Sequence, residues 1–195
     1  MHNLDDMPPK LKTLWKSLVD LHHFFRSHTQ TKFNRMNPFY EDLFSWTERG
    51  SFWTGKDDGV TIYNSATLIG DVRIGAHTWV GPFCLLDGGG GLQIGRNCSI
   101  STGCHLLTHD TVKWALSGGT SGYEYEGTQI GDCCFLGCQV VVTKGVRIGN
   151  HCLIAAGAVV TQDVRDLTIA AGVPARPIGK VRLEADGQVT LVYDE

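Results

Sequence analysis

The sequence lacks an apolar run approaching the ~20 residues that a membrane-spanning helix needs, so no transmembrane helix is predicted. It also lacks a surplus of basic residues, because 17 Lys and Arg stand against 20 Asp and Glu for a net charge of −3. This balance excludes a general nucleic-acid binder, which needs clustered positive charge. The first ten residues, MHNLDDMPPK, have no apolar core and do not resemble a secretory signal. We therefore expect a cytoplasmic protein whose seven cysteines are free thiols.

Glycine is the residue in excess. The 24 glycines in a chain of 195 residues exceed the average share of roughly 7%. They follow no Gly-X-Y period, which excludes collagen, and the hydrophobic content of 42% excludes a disordered chain. The glycines instead indicate many tight turns within one domain of ordinary size.

A six-residue repeat runs through most of the chain. Large aliphatic residues recur at every sixth position, except for a slip of two residues at the glycines of 88–91 and a longer interruption after 106. A period of six fits neither a helix, at 3.6 residues per turn, nor a long strand, at two. The positions are Ile62, Leu68, Ile74, Val80, Leu86, Ile94, Ile100, Leu106, Ile130, Leu136, Val142, Ile148, Ile154 and Val160.

Short strands joined by tight corners explain this period. Each hexapeptide forms one flat face, three faces close a triangular coil, and the coils stack ~4.8 Å apart with parallel pairing. The repeats predict a mainly β protein, a parallel β-helix of between four and five coils. Small residues that fall four positions after an aliphatic one should pack inside, and a free cysteine is a small hydrophobe. This places Cys84, Cys98, Cys104, Cys134 and Cys152 inside and leaves Cys133 and Cys138 facing outward.

Helices and a hairpin are predicted outside the repeat. Residues 8–28 carry an apolar stripe at three-to-four spacing, and a second helix is predicted from Asn37 to Gly50. Alternating residues over 181–184 and 188–193 predict a hairpin around Asp186 and Gly187. The predicted organisation is an N-terminal helical cap over 1–60, the β-helix over 61–165 with an inserted loop at 107–129, and a C-terminal segment with the hairpin over 166–195. The cap would cover the open end of the coils or, alternatively, also shape an acceptor pocket.

The interruption after Leu106 holds the first candidate for chemistry, because long excursions inside a compact domain are usually functional. His109 lies where the coil departs into the loop, and an imidazole there could act as a general base. Leu86 and Leu106 should stack in adjacent coils, which brings Asp87 to the same corner. Asp87 could orient the imidazole, bind a sugar hydroxyl, or be a solvated turn residue.

The aromatic residues of the loop leave two interpretations open. Trp114, Tyr123 and Tyr125 could stack on a sugar ring as substrate-binding residues. They could equally pack the loop onto a neighbouring subunit.

The repeat over 128–164 and the segment AAGVPARPIGK that follows it resemble the hexapeptide acyltransferases, and within them the branch of sugar and polysaccharide O-acetyltransferases such as the maltose and galactoside enzymes. The resemblance covers roughly residues 60–181. It implies a left-handed β-helix, a homotrimer with active sites between subunits, and acetyl-CoA as co-substrate without a metal. It also implies that His109 is the catalytic base.

The same resemblance assigns the acetyl-CoA groove. Arg176 corresponds to an arginine that meets the nucleotide phosphates, a role that suits its fixed charge. A backbone N–H at Gly137 or Cys138 is the candidate to hold the thioester oxygen. The residues expected to line the groove are Phe135, Gly137, Cys138, Ala155, Ala156, Thr161, Gln162 and Arg176.

Two positions depart from the family pattern. Gln162 stands where a lysine is common, and Pro82 stands near a common asparagine and offers no N–H donor. The acceptor of those relatives therefore cannot be transferred to this chain.

The leading hypothesis is an O-acetyltransferase acting on a sugar or saccharide. One alternative is N-acetylation of a nucleotide-linked amino sugar. A second is a zinc hydratase of the γ-carbonic-anhydrase kind, which would need three imidazoles from His77, His105, His109 and His151. A third is a scaffold without catalysis.

Overall fold

The computed structural model describes residues 7–194. The chain divides into two compact units, Met1–Ser45 and Trp46–Glu195. This division places residues 46–60 with the repeat, and the predicted N-terminal cap includes them. Between residues 7 and 194 no helix is long and apolar enough to cross a membrane.

The first unit contains helix α1 (Pro9–Phe33) and the single turn α2 (Phe39–Asp42). Pro9 occupies the first turn of α1, where its missing N–H costs nothing, and Asn34 ends the helix in the left-handed conformation with φ 49°. The helix is therefore five residues longer at its C-terminal end than predicted. Thr29 Oγ1 donates to Asp42 Oδ1 over 3.3 Å, which ties α2 back onto α1.

The predicted second helix, from Asn37 to Gly50, is wrong in its extent. The structure has the short α2 and a separate helix α3 (Trp46–Thr54), which belongs to the second unit. Gly50 lies inside α3 and does not end it. The backbone of Val60 passes so close to Gly50 that a Cβ there would overlap the Val60 carbonyl. The helix ends instead at Gly55, whose φ is +68°.

The second unit is a β-solenoid with parallel strands, followed by antiparallel ones. Its strands and its one further helix are β1 (Thr61–Ile62), β2 (Thr67–Ile74), β3 (Trp79–Val80), β4 (Leu85–Ile94), β5 (Ser99–Ile100), β6 (His105–Leu106), β7 (His109–Asp110), α4 (Val112–Leu116), β8 (Glu124–Tyr125), β9 (Thr128–Ile130), β10 (Phe135–Leu136), β11 (Val141–Val142), β12 (Arg147–Ile148), β13 (Leu153–Ile154), β14 (Val159–Val160), β15 (Thr168–Ala171), β16 (Arg176–Leu183) and β17 (Val189–Tyr193).

Three faces repeat along the solenoid. The first face stacks β1, β3, β5, β10, β13 and β15. The second stacks the first halves of β2 and β4 with β6, β11 and β14, and the third stacks their second halves with β9 and β12. Each corner takes the number of the face that precedes it, so the first corner follows the first face. Strands therefore pair at the spacing of three hexapeptides, as in Leu136 with Ile154 and Val142 with Val160.

The aliphatic positions of the repeat fill the interior. Leu86, Ile100, Leu136, Val142 and Ile154 are all fully buried. The number of coils was predicted too low, since the solenoid has about six turns. Val164 pairs with Ile148 and Ala170 with Ile154, so the stack continues beyond Val160. The spacing from 160 to 164 is four residues rather than six, which hides this last turn from the sequence period.

The buried cysteines do more than fill space. All seven cysteines are free, with five buried and with Cys133 and Cys138 at least partly accessible, as predicted. At the third corner the thiols of Cys98, Cys134 and Cys152 donate to the backbone oxygens of Gly131, Gly149 and Arg165 in the next coil, over 3.1, 3.0 and 3.0 Å. Thr78 does the same with its hydroxyl to Gly95, over 2.7 Å. The ladder thus satisfies corner carbonyls that the strands leave unpaired.

Antiparallel strands close the C-terminal end. β15 turns through Val173 and Pro174 into β16, which pairs with β17 as the predicted hairpin, with Val181 opposite Leu191. Asp186 accepts from the N–H of Gln188 in the connecting turn, where Gly187 has a φ of +83°. The hairpin is longer than predicted, because β16 begins at Arg176.

Candidate active site

An inserted segment, residues 107–127, leaves the solenoid at its second corner. Leu106 on one side of it pairs with Val142, 36 residues later, so the insertion adds the length of one further coil to the usual 18 residues. The segment is folded: β7 pairs antiparallel with β8, joining His109 to Tyr125 and Asp110 to Glu124, with α4 between them. The departing limb, which contains β7, and the returning limb, which contains β8, therefore lie side by side where the segment leaves and rejoins the coil.

His109 and Asp87 meet at this corner. Leu86 pairs with Leu106 in the adjacent coil, as the repeat predicts, and this brings the two polar side chains together. His109 Nδ1 lies 2.5 Å from Asp87 Oδ2. The Asp87 side chain is 4% exposed and that of His109 is 39% exposed. The pair is thus buried at its carboxylate end and open at its imidazole end.

The surroundings of Asp87 decide which nitrogen of His109 carries the proton. Asp87 Oδ1 accepts from the N–H of Gly89 over 3.0 Å, and Oδ2 accepts from the N–H of Thr108 over 3.1 Å. Burial alone would raise the pKa of Asp87, but these hydrogen bonds and that from His109 outweigh it and lower the pKa. An ionised Asp87 accepts the proton of Nδ1, so neutral His109 presents an unprotonated Nε2.

The glycine run beside Asp87 makes room for this pair. Gly90 N–H donates to Thr108 Oγ1 over 2.7 Å, and Thr108 Oγ1 donates to the backbone oxygen of Asp87 over 2.8 Å. A Cβ on Gly90 would overlap the backbone oxygen of Thr108 and approach the N–H of Glu126. Both limbs of the inserted segment therefore pack on a backbone without side chains.

A group of charged residues joins the two limbs of the inserted segment. Lys144, from the next coil, lies 3.3 Å from Asp110 on one limb and 3.5 Å from Glu124 on the other. Lys113 also pairs with Glu124, over 2.6 Å. Neighbouring donors lower the pKa of both carboxylates. For Asp110 the largest lowering comes from the N–H of Val112 and a smaller one from Lys144, and for Glu124 the largest comes from Lys113. The pKa of Lys144 is raised, since its two carboxylate partners outweigh its desolvation.

The three aromatic residues of the segment divide into two groups. Tyr125 stacks on His109, with ring centroids 5.5 Å apart and an interplanar angle of 21°. Trp114 and Tyr123 pack edge to face on each other, 5.8 Å apart, and both remain exposed. The structure therefore brings only Tyr125 to the imidazole.

The residues expected to line the acetyl-CoA groove do not all lie together. Gly137 and Cys138 form the first corner in one coil, and Ala155 and Ala156 form the same corner in the next. Gly137 N–H donates to Ile154 O over 2.8 Å, so it is already used. Of the two predicted N–H donors for a thioester oxygen, Cys138 is the one left without a backbone acceptor in residues 7–194.

The other expected groove residues lie elsewhere. Gln162 and Arg176 line one cavity of about 280 Å³ beside the last coil. The Arg176 side chain is exposed, and its Nη1 donates to the oxygen of its neighbour Ala175 over 2.8 Å, with no ion pair among the described residues. Thr161 lies at the second corner, where the N–H of Thr143 in the preceding coil donates to the backbone oxygen of Val160. Phe135 projects outward into an apolar groove of about 480 Å³ against the C-terminal hairpin.

The four histidines considered for a zinc site do not converge within the chain. His77 and His151 lie at the third corner with positive φ, His105 lies on the second face, and His109 lies at the second corner. In the part of the chain from 7 to 194 no group of three or more His, Cys, Asp or Glu is placed to hold a metal ion.

Two residues of the site are missing from the sequence-based set, Thr108 and Lys144. The repeat offers a signal for Thr108, which lies two residues after the Leu106 that stacks on Leu86. It offers none for the contacts of Lys144, which lies two residues after Val142 in the coil beyond the inserted segment. Read alone, Lys144 looks like an ordinary surface charge in a turn.

The repeat has a known family signature. The profile described as Bacterial transferase hexapeptide (six repeats) matches residues 127–162. Over this segment the chain is similar to that family. The matched hexapeptide segment begins where the inserted segment rejoins the coil and includes Phe135, Gly137 and Ala155. The sequence has no significant match among curated proteins.

Solved structures share the hexapeptide solenoid. A hexapeptide-repeat-containing acetyltransferase from Vibrio cholerae O1 biovar eltor, complexed with acetyl coenzyme A, is 20% identical with a TM-score of 0.56, over 83% of this chain and 88% of that one. The N-acyltransferase AntD from Bacillus cereus, with dTDP and 3-hydroxybutyryl-CoA, is 21% identical with a TM-score of 0.56, over 61% and 68% of the two chains. A variant of AntD with dTDP-4-amino-4,6-dideoxyglucose and coenzyme A is 24% identical with a TM-score of 0.58, over 64% and 71%. These likenesses establish the fold.

Proposed function

We propose that the protein is an acyl-CoA-dependent acyltransferase that moves an acetyl group from acetyl-CoA to a hydroxyl of a sugar or saccharide. The observation that carries the proposal is the His109–Asp87 pair, 2.5 Å apart, at the mouth of the inserted segment. The hexapeptide signature and the solenoid shared with an acetyltransferase that binds acetyl coenzyme A support it.

The pair is arranged as a general base. Nε2 of His109 takes the hydroxyl proton while the hydroxyl oxygen attacks the thioester carbon, and the carbon–sulfur bond breaks. Asp87 stabilises the imidazolium that forms and keeps Nδ1–H pointing at itself. The proton on Nε2 then passes to the leaving thiolate. Both oxygens of Asp87 are held by its own chain, so we assign it the orienting role rather than contact with the acceptor.

The positions of the candidate residues favour a site shared between copies. His109 lies at the second corner and Cys138 at the first, at opposite ends of the second face. Cys138 and Thr143 are five residues apart in sequence, which is at most roughly 16 Å at ~3.3 Å per residue and less where the chain turns at Cys138 and Gln139. Because the two groups lie at different corners of one chain, we propose that the corners of two neighbouring copies bring them to the same thioester. We therefore propose a site between copies, and the resemblance to the hexapeptide acyltransferases implies that the copies form a homotrimer with one site at each interface.

The expected donor residues fit acetyl-CoA chemically. At the first corner Ala155 and Ala156 are small and at least partly exposed, which leaves room for a narrow ligand, whereas Gly137 is buried against the backbone of Ala156. The exposed Arg176 guanidinium keeps most of its N–H donors for phosphate oxygens. Acetyl-CoA would supply the activated acyl group, and these residues would hold it.

Acetyl transfer followed by mass spectrometry tests the proposal. The enzyme is incubated with acetyl-CoA and a pool of neutral sugars, oligosaccharides and nucleotide-linked amino sugars. We expect one hydroxyl acceptor to gain acetyl with the wild type, no product with His109→Ala, and a normal yield with the matched control His105→Ala, which alters an exposed strand histidine. Full turnover by His109→Ala would refute the assigned base.

A second candidate is N-acylation of a nucleotide-linked amino sugar. The structural likeness to AntD, seen with dTDP-4-amino-4,6-dideoxyglucose, favours considering it. This variant predicts tight binding of a nucleoside diphosphate, measured by calorimetry, and labelling of an amine in the same acetyl-transfer assay. Labelling of hydroxyls alone would decide against it.

A further inference from the structure

The charged group beside His109 is built from three separate stretches of chain. Asp110 lies on the departing limb of the inserted segment, Glu124 on the returning limb, and Lys144 on the next coil of the solenoid. Lys144 lies 3.3 Å from the first carboxylate and 3.5 Å from the second. Its side chain is 20% exposed. Lys144 thus bridges the two limbs of the inserted segment.

These contacts lie one residue from the imidazole. Asp110 follows His109, and Glu124 precedes Tyr125, whose ring stacks on His109. Because β7 and β8 pair His109 with Tyr125 and Asp110 with Glu124, any separation of the limbs moves both rings. Backbone bonds reinforce the same junction: Glu126 N–H donates to Thr108 O over 2.8 Å, and Gly145 N–H donates to Glu126 O over 3.2 Å.

The charge balance argues against an anion-binding site at this place. Lys113 and Lys144 supply two positive charges, and Asp110 and Glu124 supply two negative ones. A phosphate would have to displace carboxylates that already satisfy both ammonium groups. The group is therefore suited to holding its own chain together.

We infer that Lys144 is a positioning residue for His109: it clamps the two limbs of the inserted segment to the solenoid and so holds the imidazole between Asp87 and Tyr125. The inference rests on the proposed function for its kinetic test. It adds a residue that touches neither reactant. It also gives the inserted segment a fixed base, with α4 and the exposed pair Trp114 and Tyr123 beyond the clamp.

The kinetic test compares Lys144→Met with Lys144→Arg and with Lys56→Met. Methionine keeps the length of the side chain without its charge, and arginine restores the charge. Lys56 is an exposed lysine whose side chain has no ion pair in residues 7–194 and serves as the matched control. We expect Lys144→Met to lower kcat by roughly 10- to 100-fold, the size of effect that a misplaced catalytic group causes. KM for acetyl-CoA and the urea midpoint should stay near the wild-type values, Lys144→Arg should recover most of kcat, and Lys56→Met should match the wild type.

A spectroscopic readout separates this inference from the proposed function. The Nδ1–H proton resonance of His109 reports its bond to Asp87 and is observed by NMR without substrate. It should be sharp in the wild type and broadened or lost in Lys144→Met, whatever reaction the protein catalyses. An unchanged resonance, or a kcat within twofold of wild type in Lys144→Met, would overturn the inference. A fall in activity matched by a fall in the urea midpoint would overturn it too, since it would show a merely structural role. Full activity in His109→Ala would instead refute the proposed function and leave the resonance test in place.

Discussion

Replacing Asp87 by Asn is the most informative single change at the His109 corner, because the side chain keeps its shape and loses its charge. Asp87 accepts from three N–H groups, those of Gly89, Thr108 and the His109 ring. An amide offers one acceptor oxygen and one NH₂ donor. If its oxygen takes the place of Oδ2, the NH₂ faces Gly89 N–H. If its oxygen takes the place of Oδ1, the NH₂ faces Thr108 N–H and forces His109 into the tautomer whose Nε2 carries the proton.

The N–H left without an acceptor belongs to exposed Gly89 in the first orientation and to buried Thr108 in the second. Losing the acceptor of a buried N–H costs about 1–3 kcal/mol of folding free energy, so the first orientation is the less costly one. The rate loss is larger, because the imidazolium formed during the reaction loses its counter-charge. Two unit charges about 4 Å apart interact by about 4 kcal/mol at an effective dielectric constant near 20. At 1.36 kcal/mol per decade this corresponds to a fall in kcat of roughly a thousandfold.

The assay is steady-state acetyl transfer with the acceptor found above, together with urea unfolding of the same preparations. Asp71→Asn is the matched control, since Asp71 pairs with Arg73 at the surface, where both side chains are more than half exposed. Exposed pairs contribute about 0–1 kcal/mol, so we expect this control to be nearly silent in both measurements. A folded Asp87→Asn enzyme with kcat within tenfold of wild type would refute the idea that Asp87 supports the base electrostatically.

Three further predictions concern the same unit. Gly90→Ala should lower kcat more than it lowers stability, because its Cβ would overlap Thr108 O and push the inserted segment away from Asp87; equal losses in steady-state rate and urea midpoint would contradict this. Ile154→Ala should destabilise the fully buried coil by about 2–5 kcal/mol in urea unfolding, and a loss below about 1 kcal/mol would mean that the interior can collapse around the gap. The lowered pKa of Asp87 adds stability that is present above about pH 4, the ordinary carboxyl pKa, and is lost as pH falls through the lowered value, so the urea midpoint of Asp87→Asn should fall less steeply on acidification than that of wild type.

The solenoid could be predicted in detail because its period is a direct consequence of its geometry. One side chain per hexapeptide must fill the interior, so the spacing of aliphatic residues fixes which strands pair, and Leu86 stacks on Leu106 as expected. The same register predicts that Asp87 lies beside His109, and the 2.5 Å contact between their side chains agrees with it. The period fails where the hexad is shortened between Val160 and Val164, and the last coil escapes it.

The remaining features depend on contacts that no local pattern encodes. Gly50 looks like a helix stop, but it lies inside α3, at a point where Val60 passes too close to leave room for a side chain. The cysteines read as small apolar residues, whereas their S–H groups also satisfy corner carbonyls. Lys144 gains its partners only once the inserted segment has folded back on itself. The roles of His109, Asp87 and Arg176 stay predictions until the reaction is measured.

The stacked thiols make the opening of the solenoid chemically visible. Cys133 and Cys138 are accessible to a thiol reagent in the folded protein, while Cys84, Cys98, Cys104, Cys134 and Cys152 are buried. An alkylating reagent should therefore modify the two accessible cysteines immediately, and each of the five buried ones only when its own coil separates from its neighbours. Mass spectrometry of the order in which those five are modified would show whether the solenoid frays from one end or opens all together, without any added label.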